Sequence, residues 1–391
     1  MMTTFLWALV AAPVAVGLYA YIGYPLVLKM LWGRRMQLVS QPVTGNVPMV
    51  SICLPVYNEE AALRTKLVDL VALDYPKDRL QILVVSDAST DGTDSIVQDF
   101  ADHGVELLRV EQRAGKTAAE NAAIPHLRGD IVVNTDATIR IPPEALRPLV
   151  QALDDPTVGV ASGRDVSVGD EKTAANRGES GYVGYEMQVR ELETAAGSIV
   201  GASGCYYAIR RDLHAKPIPA ELSRDFASAL TAKENGFRAV SVHDAVCFVP
   251  RTGSLAVEFR RKVRTMARGL DTLFFKRHLL NPFRHGRFAF MLFSHKLCRW
   301  LVPLLLPLSL VGLVLLAPRS NLAIVLLGLV AAGCVLGLVA ARWPGNRNMP
   351  KPVAAWGYLM SSNLAGILAW FSAVRGKKNP FWEPTRRRVA R

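Results

Sequence analysis

The chain has 391 residues, half of them hydrophobic, and a formal net charge of +13. That length exceeds one small domain and suffices for a catalytic domain of roughly 200–250 residues plus membrane segments. The charge does not mark a nucleic-acid partner. Arg251 to Arg287 carries +8 and Arg375 to Arg391 carries +6; both stretches flank hydrophobic runs, where basic residues serve as positive-inside signals and contacts with anionic lipid.

Residues 4–28 carry no charge and are long enough to cross a bilayer. No basic residue precedes the run, which disfavours a cleavable signal peptide. Lys29, Arg34 and Arg35 follow it and predict a cytoplasmic domain after the anchor. Tyr19, Tyr21 and Tyr24 suit an interfacial belt. Five cysteines, an odd number without CxxC spacing, give no sign of a disulfide framework or a zinc site.

From 49 to 250 short apolar runs alternate with helical patterns. The segments 49–57, 81–87, 105–110 and 130–136 read as strands, and helices are expected near 59–73, 93–103, 115–127 and 143–153. This βαβα rhythm implies a mostly parallel sheet covered on both faces. Ligands of such sheets bind at the carboxyl ends of the strands. The polar groups fall there: Pro55-Val56-Tyr57-Asn58-Glu59-Glu60, Asp87-Ala88-Ser89-Thr90-Asp91-Gly92-Thr93, Arg113-Ala114-Gly115-Lys116, and Asn134-Thr135-Asp136-Ala137-Thr138.

Together these groups supply what a nucleotide diphosphate needs. Strand-end carboxylates accept hydrogen bonds from a base or ribose. Gly115 and Lys116 at a helix start offer N–H donors and a cation to a phosphate. Asp136 suits a divalent ion held jointly with the diphosphate. Taken singly, the Asp-Gly-Thr turn is an ordinary cap and Asp136 caps a helix equally well; four such groups in order are harder to explain as turns.

Over about residues 48–270 the chain resembles the family 2 glycosyltransferases. The resemblance implies a GT-A fold, that is, an α/β, Rossmann-like, mixed and mostly parallel sheet, here with transmembrane and interfacial helices added. It implies a hexosyl- or N-acetylhexosaminyltransferase using a nucleotide sugar, UDP-linked before GDP-linked, and a divalent metal, Mg2+ or Mn2+. Pro55, Tyr57, Glu59, Asp87, Lys116, Asp136 and Thr138 become donor-side residues, and Asp136 opens the metal-binding DxD position. Thr138 replaces the second acid of that motif.

Gly201-Ala202-Ser203-Gly204-Cys205 is small enough for backbone to approach a sugar closely, and is equally well a tight bend in the sheet. Ser203, Gly204 and Cys205 are the candidate acceptor contacts. Asp225 matches the family's catalytic base, although Arg224 stands where an acid usually precedes it; an acid in the first turn of a helix is the plainer alternative. Arg261-Lys262-Val263-Arg264-Thr265 corresponds to the family's Gln-x-x-Arg-Trp stretch and keeps only the arginine. Arg264 or Arg261 neutralises the departing diphosphate or faces lipid. The missing tryptophan argues against a cellulose-type processive synthase.

Beyond Pro250, basic and apolar residues mix at helical spacing, as expected of a helix lying in the membrane interface. Three apolar stretches follow, at about 301–317, 321–341 and 353–374. Three full crossings would leave the basic tail outside, so one is expected to be re-entrant or interfacial. The expected divisions are an anchor at 1–35, the catalytic domain at 48–250, interfacial helices at 251–299, apolar segments at 300–374 and a cytoplasmic tail at 375–391. His278, His285 and His295 fall in the basic region and are expected against lipid.

The expected role is inverting sugar transfer to a lipid-linked or glycan acceptor at the inner (plasma) membrane, in exopolysaccharide or cell-envelope glycan synthesis. A polyprenyl-phosphate sugar synthase, a processive synthase and a nucleotide-binding scaffold are the alternatives.

Overall fold

The structure is a computed structural model and describes residues 1–33, 47–168, 174–250, 255–343, 349–376 and 381. Arg34, Arg35 and most of the 375–391 tail lie outside the described residues.

Seven strands form one sheet: β1 (Val50–Val56), β2 (Leu80–Ser86), β3 (Val105–Arg109), β4 (Ile131–Thr135), β5 (Val158–Val168), β6 (Tyr206–Arg210) and β7 (Arg238–Pro250). Their order is β3-β2-β1-β4-β6-β5-β7. The pairs β1–β2, β1–β4, β2–β3 and β5–β7 are parallel, whereas β6 runs antiparallel to both β4 and β5. The sheet is therefore mixed and mostly parallel, as the βαβα rhythm implied.

Both faces are covered, which explains why β1 is buried along its whole length. Ile52, Leu54 and Val56 point into one core with Leu63, Leu67, Leu146 and Leu149. Cys53 points into the other with Ala119, Ala123 and Ala229. Each large apolar side chain fully buried in this way contributes about 1.5–3 kcal/mol. The helices Glu60–Val71, Thr93–Gln98, Lys116–Ala123 and Leu146–Ala152 lie inside the windows expected from sequence.

Register brings the ligand-bearing ends together. Val50 stands beside both Leu80 and Ile131, so the turns after β1, β2 and β4 leave from one edge. There the backbone is held in left-handed conformations at two non-glycine positions, Asn58 (φ 50°) and Ala88 (φ 57°). Asn58 Oδ1 accepts from the Thr90 N–H at 2.7 Å, which couples the two turns.

Among the described residues three helices are long and apolar enough to cross a membrane: Met2–Trp32, Arg287–Arg319 and Asn321–Ala341. The first and second pack closely. Gly312 lies so near Val10 that a methyl at 312 would meet it at 2.8 Å, and the Ser309 hydroxyl donates to the Val10 carbonyl at 2.9 Å. The last apolar stretch forms a helix, Lys351–Val374, but is not among those three. It leans on the others. Gly366 abuts Pro303, Trp370 Nε1 donates to the Trp300 carbonyl at 2.6 Å, and Trp356 Nε1 to that of Gly333 at 2.6 Å.

His295 corrects the expectation of lipid contact. It is 1% exposed, with Nδ1 2.6 Å from Glu193 Oε1 and Nε2 3.2 Å from Glu186 Oε2. Each ring nitrogen thus faces a buried carboxylate. Arg299 Nη1 donates to Glu186 at 2.8 Å, and the Tyr24 hydroxyl to Glu193 at 2.6 Å. Burial alone raises the Glu186 carboxyl, but His295, Lys296 and Arg299 outweigh it and hold the group well below its usual range. This network ties the long helix Ala174–Ala196 to two hydrophobic helices.

Candidate active site

The turn after β2 is the anchor of the site. Asp87 is 1% exposed, and its two carboxylate oxygens accept from the N–H groups of Ala114 and Gly115, each at 2.8 Å. This pins the Arg113-Ala114-Gly115-Lys116 turn to the strand end. Gly115 (φ 96°) adopts a conformation that L side chains rarely reach, immediately before helix Lys116–Ala123. Beside it the Arg113 guanidinium stacks on the Tyr57 ring, 3.8 Å from its centroid.

Lys116 links the two halves of the sheet. Its ammonium donates to Asp136 Oδ1 at 2.5 Å and to the Gly204 carbonyl at 3.3 Å. Burial works against the charge, but the Asp136 and Glu120 carboxylates, the hydrogen bond to Asp136 and then Asp225 outweigh it and raise the lysine above its ordinary value.

Asp225 sits in the first turn of helix Arg224–Glu234. The Ser223 hydroxyl donates to its Oδ1 at 2.7 Å. Gly204 lies against the other oxygen, and a methyl there would come within 2.8 Å of Oδ2. Lys116, Asp136, Gly204 and Asp225 thus form one connected group although 109 positions separate the first from the last.

That group opens into a cavity of about 520 Å³. Cys205, Arg261 and Arg264 also line it; Pro55, Tyr57, Glu59, Asp87, Thr138 and Ser203 do not. Tyr57 and Asp87 instead flank the Arg113–Lys116 turn. Ser203 is fully buried and donates to Asp165 Oδ1 at 2.6 Å. Arg261 is held by Glu258 at 2.6 Å, whereas Arg264 faces the cavity farther along the same helix, Leu255–Phe275. The far wall comes from the hydrophobic helices, through Tyr21, Trp300 and Pro303, and from Asn363.

Sequence reasoning passed over several of these residues. Asp165 lines the cavity from β5, and its only signal was a lone acid inside a strand. Arg268 lines it one helical turn beyond Arg264 and donates to Thr117 Oγ1 at 2.9 Å. Glu120 stands among alanines at 1% exposure, 3.5 Å from the equally buried Arg224. The arginine that departs from the family pattern is thus matched by an acid from another element.

No group of three or more His, Cys, Asp or Glu side chains is placed to hold a metal among the described residues. Asp136 supplies one carboxylate, which fits a Mg2+-type ion that takes its other ligands from phosphates and water.

Residues 51–216 match the family model described as Glycosyl transferase family 2. Beta-monoglucosyldiacylglycerol synthase of Synechocystis sp. is 30% identical over 161 residues, which is 40% of this chain and 34% of that protein. Probable glycosyltransferase YdaM of Bacillus subtilis is 30% identical over 178 residues, 43% of this chain and 41% of that protein. The matched stretch therefore spans well under half the length of these curated relatives. The solved structure of mannosyltransferase PcManGT from Pyrobaculum calidifontis, in complex with GDP-Man and Mn2+, superposes with a TM-score of 0.69 at 27% identity, covering 94% of this chain and 99% of that one. Its likeness thus extends over the hydrophobic helices as well as the sheet. With the family match over residues 51–216, where the strand-end motifs lie, and this shared architecture beyond it, the chain is similar to the family 2 glycosyltransferases and has a GT-A-like fold.

Proposed function

We propose that the protein transfers a sugar, with inversion, from a nucleotide sugar to a hydroxyl of a membrane-embedded, lipid-linked acceptor. One observation carries this reading: a single cavity runs from Asp136, Lys116 and Asp225 to Tyr21, Trp300 and Pro303 on the helices apolar enough to enter a bilayer. An acceptor whose tail lies in lipid can present its headgroup to that catalytic group without leaving the membrane.

In this mechanism Asp225 accepts the proton of the acceptor hydroxyl as its oxygen attacks the anomeric carbon. The bond from that carbon to the diphosphate breaks, and the electron pair leaves with the phosphate oxygen. Ser223 and Gly204 fix the carboxylate on two sides. General base catalysis of this kind contributes about 10²–10⁴-fold. Lys116 and Arg264, with Arg268 behind them, stabilise charge on the leaving diphosphate. Asp136 would hold the divalent ion, whose contribution is to neutralise diphosphate charge. Tyr57 with Arg113 forms a face for the base, and Pro55, Glu59, Asp87 and Thr138 shape the turns beneath the nucleotide. Gly204 and Cys205 border the acceptor, with Ser203 supporting them from below.

The catalytic domain, about 48–250, is proposed to lie in the cytoplasm. Crossings by Met2–Trp32, Arg287–Arg319 and Asn321–Ala341, with Lys351–Val374 at the interface, return the basic tail to that side, as the positive-inside rule requires. Exopolysaccharide or cell-envelope glycan assembly is the process such an enzyme would serve.

A polyprenyl phosphate acceptor is favoured by one feature. Arg190 lines the cavity at 8% exposure, and its Nε and Nη1 atoms lack hydrogen-bond partners; a phosphate would satisfy them.

The test is release of nucleoside diphosphate by the full-length protein from UDP-glucose, UDP-N-acetylglucosamine and GDP-mannose, with diacylglycerol or polyprenyl phosphate, with Mg2+ or Mn2+ and with chelator. Lipid-stimulated release that chelator abolishes is the expected result. A mild-acid-labile lipid product identifies the phosphate acceptor. Absence of release with every donor means a nucleotide-binding scaffold.

A further inference from the structure

A second cavity, about 580 Å³, lies apart from the catalytic group. Its walls are the end of helix Ala174–Ala196, the end of helix Arg224–Glu234, and the short helices Pro282–His285 and Arg287–Leu292. Nothing in the proposed reaction uses it.

Arg287 is seated in this cavity by a specific backbone feature. Gly197 has φ 126°, and a methyl there would come within 2.8 Å of Arg287 Nη2. Only glycine both adopts that conformation and leaves the guanidinium its place. On another side the guanidinium carbon lies 5.4 Å from the centre of the Trp32 ring. Lys233 enters from the helix Arg224–Glu234, its ammonium 5.7 Å from the centre of the Phe288 ring.

Both cations are held by aromatic rings instead of acids. Neither Lys233 nor Arg287 has a carboxylate partner among the described residues, whereas the nearby Arg238 and Lys276 are paired with Asp155 and Glu234. The surroundings are positive enough to act on His285, another lining residue, whose imidazole is lowered by burial and then by Lys233, His278 and Arg284.

The position relative to lipid follows from the helix ends. Trp32 is the last residue of the first hydrophobic helix and Arg287 the first of the second. Their contact marks one boundary of the bilayer, where tryptophan and arginine both belong. Phe283 is 99% exposed, and Phe290 and Phe293, a few residues beyond Arg287, are also exposed, as expected of side chains that dip below the headgroups.

We propose that this cavity binds the phosphate of an anionic phospholipid headgroup between Lys233 and Arg287, with the exposed phenylalanines set among its acyl chains. The guanidinium offers two parallel N–H donors to the phosphate and the ammonium a point charge. The site docks the catalytic domain on the membrane and is separate from the acceptor site, so its failure would leave the proposed transfer reaction untouched.

Native mass spectrometry of the full-length protein in detergent, titrated with phosphatidylglycerol or phosphatidylcholine, tests it. Wild-type protein should retain phosphatidylglycerol in preference to phosphatidylcholine. The double variant Lys233→Ala, Arg287→Ala should bind phosphatidylglycerol about thirtyfold more weakly, with phosphatidylcholine binding unchanged. Its donor turnover and melting midpoint in neutral detergent should match wild type. Should that variant fail to fold, Arg287→Gln alone should weaken phosphatidylglycerol binding about fivefold. Inorganic phosphate should not displace the lipid. Equal retention of the two lipids by wild type, an undiminished preference in the variants, or full displacement by inorganic phosphate would overturn the proposal.

Discussion

Replacing Gly204 by alanine perturbs Asp225 without touching it chemically. The added methyl would stand 2.8 Å from Oδ2 and 3.4 Å from Cγ of Asp225. Ordinary van der Waals contact for such a methyl begins near 3.4 Å, so the carboxylate or the loop must give by roughly 0.6 Å. The carboxylate has little freedom to retreat, because Ser223 Oγ holds Oδ1 at 2.7 Å on its other side. The Gly204 carbonyl also receives Lys116 at 3.3 Å, so a loop shift would disturb the lysine instead. A misplacement of about 1 Å costs on the order of 10²-fold in rate, and half that distance about tenfold. Gly204 does not occupy the left-handed region, so backbone strain adds nothing. The assay is steady-state release of nucleoside diphosphate with saturating lipid acceptor, alongside donor affinity by calorimetry. A kcat about tenfold lower with donor affinity within about twofold is expected. An unchanged kcat, or a loss confined to donor affinity, would refute the placement of Asp225 at the reacting centre.

Three further variants test what supports the site. Lys66 is fully buried, donates to Thr135 Oγ1 at 3.0 Å and to the Ile139 carbonyl at 2.9 Å, and has its pKa lowered by burial to about 7. An unfolded lysine titrates near about 10.4, so between these values the unfolded chain holds the extra proton and stability rises with pH; the melting midpoint should climb across that window, and Lys66→Met should flatten the climb. Arg224→Leu removes one of the two cations beside the buried Glu120 carboxylate, leaving Lys116, and should lower stability in denaturant unfolding, with much of the loss recovered by adding Glu120→Leu. His295→Leu removes the imidazole that bridges the buried Glu186 and Glu193 and should lower the melting midpoint more than Asp225→Asn does.

How much of this was legible in the sequence depended on whether the signal was local. β1, β2 and β4 announced themselves as apolar runs with polar ends, as strands buried on both faces do, and the half-buried edge strand β3 as a shorter run. Their parallel pairing then put Asp87, Lys116 and Asp136 at one edge, so the grouping of these residues followed from pattern alone. The other half did not. β6 inserts antiparallel between β4 and β5, an order that no periodicity encodes. Asp165 is one acid in a strand of 11 residues and becomes meaningful only when Ser203 is placed against it. The Glu186–His295–Glu193 network joins residues about a hundred positions apart in chain. In sequence its members are isolated charges beside a hydrophobic run, and lipid contact was the natural expectation. Arg224 was visible as a departure from the family pattern; Glu120, which accounts for it, was hidden because its helix brings it to Arg224 only in three dimensions.

Asp225→Asn tests the central claim most directly. The amide keeps the size of the side chain and its contacts with Ser223 and Gly204 but cannot take the proton of an acceptor hydroxyl. The variant should fold, bind nucleotide as wild type does, and turn over about 10²–10⁴-fold more slowly with lipid acceptor. Sugar transfer at the wild-type rate would show that Asp225 is not the base and that the chemistry lies elsewhere in the cavity.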